Sequence, residues 1–196
     1  AVAYGNGKFV SVGGGGIGNT VRYSTDGENW TVYDNVANAY MGSNPAGDLI
    51  YANNLFVGAS GSSSIIYSSD GITWSSTGQI VSDNNARFVA IAYGGGKFVA
   101  MTNYGYSATS TDGINWTQSS TTKLISGSGP SEATAHYAGM TYGNNLFVFV
   151  GYYRHSPSTS YIWYSSDGAS WQSKSTDFGT GCLGGGTCTI NAVSGI

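Results

Sequence analysis

The sequence predicts an all-β chain folded as a four-bladed β-propeller of four-stranded antiparallel blades. Three observations predict it. A two-part unit recurs four times in 196 residues, with 47, 42 and 49 residues between its opening tyrosines. Periods of about 40–50 residues rich in strand formers mark propeller blades. No segment carries a helical period, while aromatic residues reach 14% and glycines number 31, the composition of short strands and tight turns. Finally, residues 191–196 followed by 1–4 align with 85–93, as if the two ends were halves of one innermost strand. This predicts a ring closed by pairing of the N- and C-terminal segments. It also fits an excerpt of a longer array cut at a blade boundary. Residues 1–196 read as one propeller domain.

Each unit opens on a Tyr, a two-residue turn and an apolar strand: Tyr4-Gly5-Asn6-Gly7-Lys8-Phe9-Val10, Tyr51-Ala52-Asn53-Asn54-Leu55-Phe56-Val57, Tyr93-Gly94-Gly95-Gly96-Lys97-Phe98-Val99 and Tyr142-Gly143-Asn144-Asn145-Leu146-Phe147-Val148. The central pairs Asn-Gly, Asn-Asn and Gly-Gly suit a type I′ hairpin, which needs positive φ at both positions. In the third unit this places strand A at 88–93, B at 97–101, C at 106–110, and the start of D at Trp116. The second part of the unit is Ser-x-Asp-Gly-x-x-Trp, at 24–30, 68–74, 110–116 and 165–171. Asp26, Asp70, Asp112 and Asp167 are placed to accept backbone N–H bonds two residues on. The Gly takes positive φ, and Trp30, Trp74, Trp116 and Trp171 cover the hairpin. A motif present in every blade points to upkeep of the fold.

Ser-x-Asp-Gly-x-x-Trp resembles the Asp-box (BNR-like) repeat of sialidases and related non-catalytic propellers, with one residue fewer between Asp and Gly. The unit also resembles propeller domains of phage-tail and bacterial surface proteins. The resemblance implies boxes in the C–D turns, away from the active face.

Meander topology puts the A–B and C–D turns on one face and the B–C and D–A connections on the other. The first set is uniform between blades. The second varies in length: 13–20, 60–64, 103–105 and 152–160 for B–C, and 34–48, 77–87, 119–136 and 175–191 for D–A. Variable loops on a rigid scaffold are where binding resides. Tyr40, Tyr104, Tyr106, Tyr137, Tyr152, Tyr153 and Tyr161 fall in or beside these loops, with Arg87, Arg154, His136 and His155. Tyrosine gives contact area at low entropy cost, and its ring stacks on a sugar. The bland reading of each tyrosine is that it half-packs a blade. Tyr152-Tyr153-Arg154-His155 is the leading cluster.

Charge is scarce: 7 Lys+Arg against 10 Asp+Glu, net −3. A nucleic-acid binder needs clustered cations, so none is expected. No apolar run is long enough to insert in a membrane. Cys182 and Cys188 are separated by five residues; a local disulfide is expected, with free thiols or a shared metal as alternatives. The disulfide and the Ser/Thr/Gly/Asn-rich composition favour an extracellular location, secreted or on a cell or virion surface. No metal or cofactor is expected. Calcium through loop aspartates lacks an Asp-x-Asp spacing.

An enzyme is not expected. A sialidase needs an arginine triad, and only Arg22, Arg87 and Arg154 are present, at scattered positions. A glycosidase needs two carboxylates. Outside the four boxes and Glu28 the chain offers Asp34, Asp48, Asp83, Asp177 and Glu132. The function expected is a non-catalytic carbohydrate-recognition or adhesion module with a glycan or surface polysaccharide as partner. The alternative is a structural or protein-binding module decorating a filament, capsid or cell surface, with a protein partner or self-assembly. A sialidase-like glycosidase ranks below both.

Overall fold

A computed structural model describes residues 1–14, 19–34, 47–119, 135–153 and 160–176. They form four four-stranded antiparallel meanders with no helix among them. Blade 1 is β1 (Val2–Gly5), β2 (Lys8–Gly14), β3 (Asn19–Ser24) and β4 (Thr31–Asp34). Blade 2 is β5 (Asp48–Ala52), β6 (Leu55–Ala59), β7 (Ile65–Ser68) and β8 (Ser75–Ser76). Blade 3 is β9 (Phe88–Gly94), β10 (Lys97–Thr102), β11 (Ser107–Ser110) and β12 (Thr117–Gln118). Blade 4 is β13 (Ala135–Gly143), β14 (Leu146–Tyr153), β15 (Ser160–Ser165) and β16 (Gln172–Thr176). The protein is an all-β, four-bladed β-propeller. The segment expected to supply a closing strand, 191–196, lies outside the described residues, as do Cys182 and Cys188. At the other end, Ala1 exchanges backbone bonds of 3.0 Å with Val12 and extends the β1–β2 ladder.

The A–B hairpins form as the residue pairs dictate. Asn6 and Gly7, Asn53 and Asn54, Gly95 and Gly96, and Asn144 and Asn145 all adopt positive φ, between 47° and 77°. Asn and Gly are the residues that enter this region at least cost.

The Ser-x-Asp-Gly turns are built alike in all four blades. In blade 3 the Asp112 carboxylate accepts the N–H of Ile114 at 2.8 Å and of Asn115 at 2.7 Å, and the Ser110 hydroxyl at 2.9 Å. The Gly113 N–H donates to Ser110 Oγ at 2.8 Å. The Trp116 indole donates back to the Gly113 carbonyl at 2.9 Å. Trp30 and Trp171 do the same, whereas buried Trp74 leaves its Nε1 without a partner among the described residues.

These bonds hold the box carboxylates below the ordinary value of 3.8. The Asn29 side-chain amide leads at Asp26, and the Asn115 amide at Asp112. At Asp167, pushed down to about 2, the Ser170 N–H leads. At Asp70 burial acts upward, but the Ile72, Thr73 and Ser68 bonds outweigh it and bring the group to about 2. A carboxylate depressed by folding stabilises the native state above its unfolded value, and that stabilisation is lost as pH falls through the folded value. Urea midpoints should therefore drop between pH 4 and 2. An Asp70→Asn, Asp167→Asn double variant should be less stable at neutral pH and show a shallower drop.

The core is a set of layers between blades. Strand side chains alternate between the two sheet faces, so each blade offers one face to the blade before it and one to the blade after. Val10, Val12 and Val21 of blade 1 meet Leu49, Phe56, Ile66 and Trp74 of blade 2. Leu55, Val57 and Ile65 of blade 2 meet Phe88, Ile91, Phe98 and Ala108 of blade 3. Ala92, Val99 and Met101 of blade 3 meet Met140, Phe147, Phe149 and Trp163 of blade 4.

Candidate functional site

Inner strands β5, β9 and β13 run side by side, aligned by Tyr51, Tyr93 and Tyr142. They border an open cavity of about 290 Å³ lined by Asp48, Ile50, Tyr93, Met140, Thr141 and Tyr142, among others. Asp48 is the only carboxylate among the described residues that line it. Three residues before the aligned tyrosine, the inner strands carry Ala1, Asp48, Ala90 and Gly139. Blade 2 alone places a charged side chain at this level.

Two backbone donors fix that carboxylate. Oδ1 accepts the N–H of Leu49 at 2.9 Å, and Oδ2 accepts the N–H of Ile91 in the next blade at 3.2 Å. Burial raises its pKa; the Ile91 and Leu49 bonds pull the other way and are outweighed. A carboxyl group held partly out of water, beside tyrosine rings and an open volume, can anchor a sugar hydroxyl. With a raised pKa it can also hold the proton a general acid delivers.

The loop face at the Asp48 end of β5 is cross-braced. Connection 77–87 is tied to loop 60–64 by Ile80 N–H to the Ser63 carbonyl at 2.9 Å and Phe88 N–H to the Ser62 carbonyl at 2.8 Å. Arg87 N–H donates to Asn103 Oδ1 at 2.7 Å, and Asn103 N–H returns to the Arg87 carbonyl at 2.8 Å. The hydroxyls of Ser60, Ser62 and Ser64 form a chain, with contacts of 2.6 and 2.8 Å.

The expected binding residues separate into three groups. Arg87, with an exposed side chain, is brought beside the loop of Tyr104. Tyr104 and Tyr106 pack against the blade 2–blade 3 core layer, which is the bland reading of a loop tyrosine. In blade 4 the register sets Tyr152 opposite His136 on one side and Ser160 on the other, with Tyr153 opposite Ala135 and Tyr161 opposite Gly151. Four expected residues thus share one end of one sheet. Tyr40, Arg154 and His155 lie outside the described residues. Sequence reasoning does not single out Asp48 as a site residue. Its signal is the break in the repeat, a carboxylate where the sister strands carry Ala or Gly.

Among the described residues no helix is long and apolar enough to cross a membrane, and no group of three or more His, Cys, Asp or Glu could hold a metal.

No protein family matches the sequence, and no curated protein matches it. Solved structures of the same fold do. PorZ, an essential surface component of the type-IX secretion system of Porphyromonas gingivalis, superposes with TM-score 0.54 at 15% identity, over 83% of this chain and 24% of its own. A proposed glycosidase from Bacteroides thetaiotaomicron gives 0.53 at 13% identity, over 90% and 71%. YCF48 from Cyanidioschyzon merolae gives 0.52 at 13% identity, over 88% and 55%. The chain therefore spans about a quarter of PorZ and about half of that YCF48. These likenesses place it in the class of β-propellers and establish the fold alone. They also correct one expectation. The absence of enzymatic function does not follow from the sequence, because the same architecture at TM-score 0.53 belongs to a proposed glycosidase. The arginine positions speak only to a sialidase, and the spread of the carboxylates along the sequence leaves half-buried Asp48 without a role.

Proposed function

We propose that this chain is a carbohydrate-binding β-propeller whose saccharide lies at the B–C/D–A face and the adjoining mouth of the inner cavity, with Asp48 as the polar anchor. The observation that carries the reading is Asp48 itself. It is the only carboxylate on the described inner strands, held by two backbone N–H groups beside the cavity that Tyr93 and Tyr142 help to line. A sugar matches this pairing: hydroxyls for the carboxylate, an apolar ring face for the aromatic surface. The blade 4 cluster of His136, Tyr152, Tyr153 and Tyr161 extends the proposed surface. Two further features belong to the same reading. The Ser-x-Asp-Gly-x-x-Trp turns are a shortened Asp-box, and Cys182 and Cys188 pair in an extracellular protein.

The test is a glycan array probed with the purified chain, with and without calcium, followed by an assay for released reducing sugar on any glycan that binds. Binding to a related set of glycans is expected, weakened at least about tenfold by Asp48→Asn, the loss of one charge-assisted hydrogen bond. Separate Tyr152→Ala and Tyr153→Ala variants test the blade 4 surface. Folded protein that binds no glycan overturns the reading. Sugar release abolished by Asp48→Asn would make the site catalytic.

A further inference from the structure

The Asp48 carboxylate has acceptor capacity to spare and little positive charge to meet it. Oδ1 holds the Leu49 N–H and Oδ2 the Ile91 N–H. These fill two of the roughly four acceptor sites a carboxylate offers. The side chain is half-buried and forms part of the cavity wall, whose described residues include no Lys, Arg or His. At the same level the sister strands carry Ala1, Ala90 and Gly139, none with a polar side chain. Among the described residues the positive group acting on Asp48 is the amino group of Ala1, the weakest of the four influences there.

Neutral and cationic ligands fare differently over such a group. A neutral ligand takes the carboxylate further out of water and returns hydrogen bonds alone. Burial of a charge on those terms is unfavourable unless the charge is paired. An ammonium returns the opposite charge together with three N–H donors, and the attraction strengthens as water leaves. The net charge of −3 adds a longer-range pull on cations. Around the carboxylate, Ile50, Met140, Tyr93 and Tyr142 give apolar and aromatic surface and Thr141 a hydroxyl. A hydroxylated ring satisfies that mixture more fully than the alkyl stem of a lysine. The cavity, at about 290 Å³, sits near the lower bound of ligand pockets, about 300 Å³, and takes a short stretch of glycan.

We propose that the saccharide bound at Asp48 is an amino sugar with a free, protonated amine, its ammonium seated on the carboxylate. This rests on the carbohydrate-binding reading above and narrows its ligand class. The unoccupied acceptor sites of Asp48, in a wall without a cationic side chain, carry the assignment.

Titration calorimetry with matched β1,4-linked tetrasaccharides of glucosamine, N-acetylglucosamine and glucose isolates the substituent at C2. At a pH where the amine is charged, the glucosamine oligomer should bind at least about tenfold more tightly than the other two, and added salt should erode the preference. Asp48→Asn should bring the three to similar affinity. Thr141→Lys, which places a cation in the cavity wall and leaves Asp48 intact, should do the same; circular dichroism checks the fold of both variants. Glucosamine binding no tighter than its two analogues overturns this inference and leaves the carbohydrate reading standing. Binding of none of the three by folded protein overturns that reading as well. A preference that survives in folded Asp48→Asn overturns the inference by placing the ammonium elsewhere. Nα-acetyl-lysine amide bound as tightly as the glucosamine oligomer also overturns it, since the amine alone would then be the ligand.

Discussion

Gly94→Ala is expected to destabilise the protein by about 3 kcal/mol, at the upper end of what overpacking a core costs, or about 10 °C in Tm for a chain of this size. The backbone at Gly94 is not in the left-handed region, so the cost is steric. A methyl there would fall within the ring of Tyr142, the residue that joins blade 4 to blade 3. The ring has little room to retreat. It lies 4.7 Å from the Phe147 ring, and its hydroxyl reaches Asn145 Oδ1 at 3.4 Å. Gly5 stands in the same relation to Tyr51. Thermal unfolding of Gly94→Ala, Tyr142→Ala and the double variant checks the argument. Tyr142→Ala should cost less when Gly94 is already Ala, giving a coupling of about 1–3 kcal/mol. Blade 2 carries Ala52 at the equivalent position, where the next ring is Tyr93 in the same core layer. An unchanged Tm for Gly94→Ala would mean that the Tyr142 ring shifts freely, and that the junction is not a fixed lock.

Phe98→Ala should cost more, about 3–5 kcal/mol, the loss of a large buried ring plus the cavity it leaves. Phe98 is fully buried and joins three parts of the fold. Its ring centroid is 4.5 Å from Tyr93 on the inner strand and 6.3 Å from box Trp116, and it belongs to the layer that blades 2 and 3 share. Phe98→Leu keeps most of the volume and should cost about 1 kcal/mol. Urea unfolding of both variants distinguishes the outcomes. Two equal, small losses would mean that the layer relaxes around the vacancy and that the blades are less tightly packed than their burial indicates.

Much of this molecule is legible in its amino-acid sequence. The four hairpin pairs 6–7, 53–54, 95–96 and 144–145 are Asn and Gly because those residues enter positive φ most cheaply, and each does so. The four boxes are legible because Ser, Asp and Gly at fixed offsets satisfy one another locally, within about three residues. Repetition supplied the blade count. Asp48 illustrates the opposite case. In the sequence it is one of several carboxylates outside the boxes. The role proposed for it depends on Ile91, 43 residues away, and on a cavity that three inner strands share. Tyr104 and Tyr106 went the other way: their loop position suggests binding, and their packing on the blade 2–blade 3 layer is a tertiary fact.

The division follows from the range of the forces. Turn conformation and the 2-residue alternation of strands are set within a few residues of chain, so the sequence by itself determined the blades, their turns and which face of each strand is apolar. Which apolar face finds a neighbour depends on how successive blades stack, and only the tertiary structure decided that. Val2 and Ile91 occupy the same place in the repeat, yet one is 60% exposed and the other 1%, because among the described residues blade 3 has a blade packed before it and the front of blade 1 does not.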